Sequence, residues 1–209
     1  MVLILSLFCY AYFLDAGNSP LYLFAIGRQT SVGPLYKDII RNTMEAVTKG
    51  TEGESIATIL YDPSKPTRRL SSRFQKIEKD DTETKKFIDR VLLSVTRVRA
   101  SHDDDFAETA LRLAADEMIK ETTDQRRTVA LILNETPKAK LNSVIRLLRD
   151  RDIFVSLIIL GHDVKENELK LQLSDATLLY AVSDEQEWER SLKDINRNSL
   201  TGNINLYLI

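Results

Sequence analysis

The stretch LYLFAIGRQTSVG, Leu21 to Gly33, decides how the rest of the chain is read. Its opening LYLFAI is apolar and uncharged, the pattern of a strand buried on both faces. The polar residues from Gly27 to Thr30 break that run, and Ser31-Val32-Gly33 leads directly into a helical pattern. There Leu35, Tyr36, Ile39, Ile40, Met44 and Val47 share one helical face, and Thr48, Lys49 and Gly50 end it. Strand, turn and helix in that order form the opening unit of a parallel α/β sheet.

The alternation continues outward from this unit. Ser55 to Tyr61 reads as a short strand closed by Asp62-Pro63. Arg69 to Phe74 reads as a polar edge strand whose only apolar residues are Leu70 and Phe74. Asp80 and Asp81 precede a helix carrying Phe87, Ile88, Val91 and Leu92, and acids suit that end of a helix. A polar loop, SHDDD, leads into a helix with Phe106, Ala110, Leu111, Ala114 and Met118 facing inward. Thr128 to Leu133 and Ile153 to Leu160 are apolar enough to be strands buried on both faces. Between them Pro137 suits the first turn of a helix with Leu141, Val144, Ile145 and Leu148 inward. Glu166 to Leu173 reads as a short helix and Ala176 to Val182 as a last strand. Asp184 to Asn196 is a last amphipathic helix containing Trp188, Leu192 and Ile195. The expected fold class is α/β: a doubly wound, mostly parallel six-stranded sheet with one antiparallel edge strand and helices on both faces.

The bulk composition agrees with one domain plus short extensions. The chain has 209 residues, 43% hydrophobic and 29% charged, ordinary values for a globular domain with a real core. With 29 basic and 31 acidic residues the formal charge is -2, which gives no basic face for a nucleic-acid partner. Cys9, the only cysteine, lies in the apolar run VLILSLFCYAYFL. That run is too short to span a bilayer, which takes about 20 apolar residues. It has the length of a secretory signal core and is followed by small and polar residues, although no Lys or Arg precedes it. Residues 1–17 are read as a signal peptide, 18–198 as the domain and 199–209 as a C-terminal tail. Removing the leader leaves no cysteine; a chain of this size holds a core without disulfides.

Five local features in order resemble the von Willebrand factor A (vWA) domain family, over about Leu21 to Arg197. AIGRQTSVG is placed like the family's first strand and metal loop, and PLYKDIIRNTMEAV like the helix after it. DDDFAETALRLAADEM resembles the loop and helix that usually carry Gly-Gly-x-Thr before an Ala-Leu pair. VALILNET is similar to the strand ending in Thr-Asp-Gly, and LRDRDIFVSLIILG to a helix end, loop and strand ending in Gly. The resemblance implies an adhesion or protein-binding domain with a metal-ion-dependent adhesion site (MIDAS).

The departures fall on that site. In the family the loop reads Asp-x-Ser-x-Ser. Here Gly27 stands for the Asp, Gln29 for the first Ser, and only the second Ser is kept, as Ser31. The family's Thr ligand falls on or near Asp105, and its third-loop Asp on Glu135. Magnesium demands near-ideal oxygen geometry, so the resemblance implies a degenerate site and no required cofactor. The binding rim is then Gly27, Gln29, Ser31, Asp104, Asp105 and Glu135. A differently arranged hard cation on Ser31, Asp105 and Glu135, with Asp104 beside them, is the alternative. Against it, Asp103 to Asp105 also suit a solvated helix start.

Other chemistry is sparse. The chain has no Gly-rich phosphate loop and no G-x-S-x-G elbow. His102 and His162 both fall in loops, and no Cys survives to act as a nucleophile beside them. Asn134-Glu135-Thr136 fits the N-glycosylation acceptor, making Asn134 a candidate on the rim. The expected function is non-catalytic protein binding, secreted, in cell adhesion or matrix contact, independent of metal. An intracellular scaffold domain of the same fold is the alternative, and an α/β enzyme a more distant one.

Overall fold

Apolar runs become the strands, and helical stripes become the two layers that cover them. In the computed structural model the described residues are 21–27, 32–48, 55–60, 70–71, 75–76, 81–97, 106–120, 127–134, 136–137, 141–161 and 178–201. The elements in chain order are β1 (Leu21–Ile26), α1 (Pro34–Thr48), β2 (Ser55–Leu60), β3 (Leu70–Ser71), β4 (Gln75–Lys76), α2 (Asp81–Arg97), α3 (Phe106–Lys120), β5 (Arg127–Leu133), α4 (Asn142–Arg149), β6 (Ile153–Leu160), β7 (Leu178–Val182) and α5 (Glu185–Thr201). The expected leader 1–17 and the expected helix Glu166 to Leu173 lie outside the described residues.

One sheet runs in the order β3-β2-β1-β5-β6-β7, with β4 also paired to β2. β1, β2, β5, β6 and β7 are parallel throughout. β1 lies inside the sheet, with Leu23 opposite Ala57 on one side and Val129 on the other. Successive side chains point to opposite faces, so Phe24 and Ile26 join one core cluster while Leu23 and Ala25 join the other. The first cluster takes in α3 and α4 through Ala110, Leu111, Ala114, Met118, Val144, Ile145 and Leu148. The second takes in α1, α2 and α5 through Ile39, Ile40, Met44, Ile88, Val91 and Trp188. A sheet with apolar residues on both faces has to be covered on both, which is the doubly wound arrangement. The chain moves from β1 through α1 to β2 in one direction, and from β5 through α4 to β6 in the other. Because α1 and α4 lie on opposite faces, both crossovers have the same hand, the right-handed one of parallel units.

Several expectations need correction. Of the edge strand expected over Arg69 to Phe74, the described residues Leu70–Ser71 form a strand, and a second two-residue strand, Gln75–Lys76, lies beyond it; both are antiparallel to β2. Leu70 pairs with Leu60 and Ser71 with Ile59, whereas Gln75 pairs with Ile56 and Lys76 with Ser55. The second register is offset by one residue from the first, so one continuous ladder does not form. Pro137 is not in the first turn of α4, which begins at Asn142. The last helix runs to Thr201, past the expected end at Asn196. Its start is well specified: Asp184 Oδ1 accepts the Glu187 N–H at 2.9 Å, and Glu187 Oε2 accepts from the Ser183 N–H and Oγ at 2.8 and 2.7 Å. Asp184 is thus the N-cap, and Glu187 reaches back one residue further than in a capping box, to Ser183. No helix among the described residues is long and apolar enough to cross a membrane.

The turn into β6 depends on one unusual backbone angle. After α4 the Asp150 N–H bonds to the Arg146 carbonyl and the Asp152 N–H to the Arg149 carbonyl. Asp152 then takes φ 56°, the only positive φ of a non-glycine residue among those described. Asp tolerates this left-handed conformation better than branched residues do. Asp152→Val should therefore lower stability by about 1–2 kcal/mol, while Asp152→Gly should leave it close to unchanged. Chemical denaturation of the two variants checks this.

Candidate functional site

Parallel strands bring all their carboxyl ends to one side of the sheet, the side where open α/β sheets bind ligands. There Ile26 lies opposite Ile132, so the chain leaves β1 at Gly27 and β5 at Asn134 from neighbouring strand ends. These exits lead directly to the two segments holding Gln29, Ser31 and Glu135.

The two exits are joined by backbone and by one side chain. The Gly27 N–H donates to the Ile132 carbonyl at 3.0 Å, one step beyond the ladder. Tyr36, on the first turns of α1, extends its hydroxyl beneath the same place. That hydroxyl lies against the Gly27 carbonyl and 2.9 Å from the Ile132 carbonyl. A phenol carries one proton, so Tyr36 shares it between the two oxygens. Ile132 thereby uses both lone pairs, one toward Gly27 and one toward Tyr36. The Tyr36 side chain is buried, and loss of solvent pushes its hydroxyl far above the ordinary phenol range. It stays a neutral donor.

The helix is built to deliver that hydroxyl. Pro34 opens α1, where its missing N–H costs nothing. Tyr36, Ile40, Thr43 and Val47 then form one buried stripe. The sequence pattern placed Tyr36 on this apolar face and missed its polar role. The signal was the residue type: a fully buried tyrosine hydroxyl needs a partner. Gly33, which the family frame also carries, has nothing within 4 Å of where a Cβ would stand; space does not demand glycine there.

Of the expected rim residues, Gly27 is described and is buried. Gln29, Ser31, Asp104, Asp105 and Glu135 lie outside the described residues, as do His102 and His162. Asp104 and Asp105 directly precede α3 in the chain. Asn134, the glycosylation candidate, is buried at 9% exposure and has interactions of its own. A sugar there would have to displace the packing at the end of β5.

Gly27 is the one rim residue among those described. Gly27 offers no side chain, its N–H is used by Ile132 and its carbonyl by Tyr36. Among the described residues no three His, Cys, Asp or Glu side chains cluster to hold a metal.

No family model matches the chain, and no curated protein matches it. Solved structures do. The chain is similar to the pilus adhesin SpaC of Lactobacillus rhamnosus GG, with TM-score 0.65 and 6% identity over 90% of this chain and 31% of that one. It is similar to a von Willebrand factor type A protein of Catenulispora acidiphila, with TM-score 0.60 and 13% identity over 88% and 43%. It is also similar to proximal thread matrix protein 1 of the mussel byssus, in a structure with a zinc-occupied MIDAS motif. There the TM-score is 0.59 and the identity 14%, over 88% and 46%. The chain thus spans a third to a half of the length of these proteins. At such identities the likeness establishes the fold: the chain has the vWA-like fold.

Removing only the Tyr36 oxygen tests the brace. Tyr36→Phe leaves the buried Gly27 carbonyl without its hydroxyl donor and should cost about 1–3 kcal/mol. The wild-type advantage should also depend on pH. The folded hydroxyl titrates above its unfolded value, so its contribution is complete below the unfolded pKa of about 10 and is lost as pH rises past it. The stability gap between wild type and Tyr36→Phe should therefore narrow above about pH 10. Urea unfolding at neutral and alkaline pH measures it.

Proposed function

We propose that this is a secreted, non-catalytic protein-binding domain that acts in cell adhesion or extracellular matrix contact, and that its rim works without a metal ion. The observation that carries this reading is Gly27. At the position of the family's first metal-loop aspartate the chain has no side chain, and both backbone groups are engaged inside the protein. A site that lacks its ion has to bind through side chains and loop backbone. Gln29, Ser31, Asp104, Asp105 and Glu135 are the candidates on this rim. Adhesin and matrix proteins among the structures of similar fold support the class of function. The apolar leader before Leu21 supports export. The chain carries no G-x-S-x-G elbow and no Gly-rich phosphate loop, which favours binding over catalysis.

The test is binding of the exported domain to a panel of purified matrix and cell-surface proteins, run once in chelator and once in magnesium. Binding of at least one of them, equal in both conditions and weakened at least about tenfold by Gln29→Ala with Glu135→Ala, is the expected outcome. Binding that appears only with magnesium would contradict metal independence. A complete lack of binding would contradict the adhesion reading.

A further inference from the structure

The rim occupies one end of the sheet; a separate feature lies along its side. β7 ends the strand order, and among the described residues nothing pairs with its outer edge. The strand is LLYAV, with no charge, proline or glycine to discourage pairing. Proteins normally blunt such an edge.

One backbone hydrogen bond shows which groups of β7 face outward. The Gly161 N–H donates to the Val182 carbonyl, so Val182 turns its backbone toward β6. Backbone direction alternates along a strand. Leu178 and Tyr180 therefore also face β6, and Leu179 and Ala181 turn their N–H and C=O outward. The outward pair flanks Tyr180 symmetrically. Beside it a shallow cleft is lined by Leu179, Tyr180, Ala181, Glu187, Arg190 and Ser191. Its α5 wall thus carries one acid and one base. Glu187 is held in place by Ser183, and Arg190 is exposed.

The segment directly after α5 is a poor occupant. α5 lies on the α1 face of the sheet. A strand added in parallel beyond β7 through a helix on that face would make a left-handed crossover, the opposite of the two observed.

We propose that the β7 edge is the contact between two copies of this chain, joined antiparallel about a two-fold axis at Tyr180. Leu179 of each copy then pairs with Ala181 of the other, each pair exchanging both of its backbone hydrogen bonds. The same axis sets the two α5 walls side by side in opposite directions. Arg190 of one copy then faces Glu187 of the second copy, and the reverse. The wall is charge-complementary to itself, as an isologous interface has to be. The sheet becomes continuous across the pair, and both rims stay open.

Analytical ultracentrifugation of the full chain over a range of concentrations tests this, with three proteins. The wild type should show a reversible monomer–dimer equilibrium. Ala181→Pro removes an outward N–H that pairs with no strand among the described residues. It should abolish the dimer while the melting temperature of dilute protein stays within a few degrees of wild type. Arg190→Glu places like charges opposite each other and should weaken the dimer at least about tenfold; as an exposed substitution it keeps the test valid if the proline variant fails to fold. A wild type that is monomeric at every concentration would overturn the proposal, as it would if the chain's own leader covered the edge. A dimer that survives Arg190→Glu unweakened would overturn it too. Both outcomes are independent of what the rim binds.

Discussion

The carbonyl of Ile132 receives two donors, the Gly27 N–H from the neighbouring strand and the Tyr36 hydroxyl from the helix that follows it. This junction ties together the ends of the two inner strands from which the rim segments depart. It lies in a buried, low-dielectric place, where a satisfied polar group holds its geometry and an orphaned one is costly. A metal ion bridging such segments would fix them by charge. Here a backbone ladder extended by one bond and a neutral phenol perform the fixing. The sheet, the orientation of α1 and the spacing of the rim exits all meet at that point. The side edge at β7 is governed by a different consideration, the parity of backbone groups along the last strand.

Much of the fold was legible in the sequence because the physics there is local. β6 begins at Ile153 and ends at Leu160, as its apolar run indicates. β5 extends the expected run by only Arg127. The inward faces of α1 to α4 follow helical periodicity, since a stripe of apolar residues every third or fourth position has one way to be buried. Where the pattern misled, a tertiary constraint was acting. Leu70 and Phe74 suggested one strand, but the pairing there is set by the register against β2, which shifts by one residue. Pro137 looked like a helix opener, yet α4 starts at Asn142 with Leu141 buried before it. The extra turn of α5 beyond Asn196 carries almost no apolar signal.

The site was less legible than the fold. That Gly27 ends the central strand could be read from composition; that both its backbone groups are engaged could not. Tyr36 counted as one more apolar residue on a stripe, because periodicity sees a ring and not its hydroxyl. Asn134 matched a modification motif, and burial at the end of β5 gives that motif a different setting. Motifs record residue types in order, whereas the usefulness of each residue depends on exposure and on what already occupies its polar atoms.

The central claim is that the junction of β1 and β5 is held by the protein alone. Native-state hydrogen exchange of the Gly27 amide measures it most directly, because that N–H is the bond joining the two exits. The account predicts strong protection that is the same in magnesium and in chelator. Protection that is weak in chelator and appears only when magnesium is added would show that an ion holds the rim, and would contradict the account.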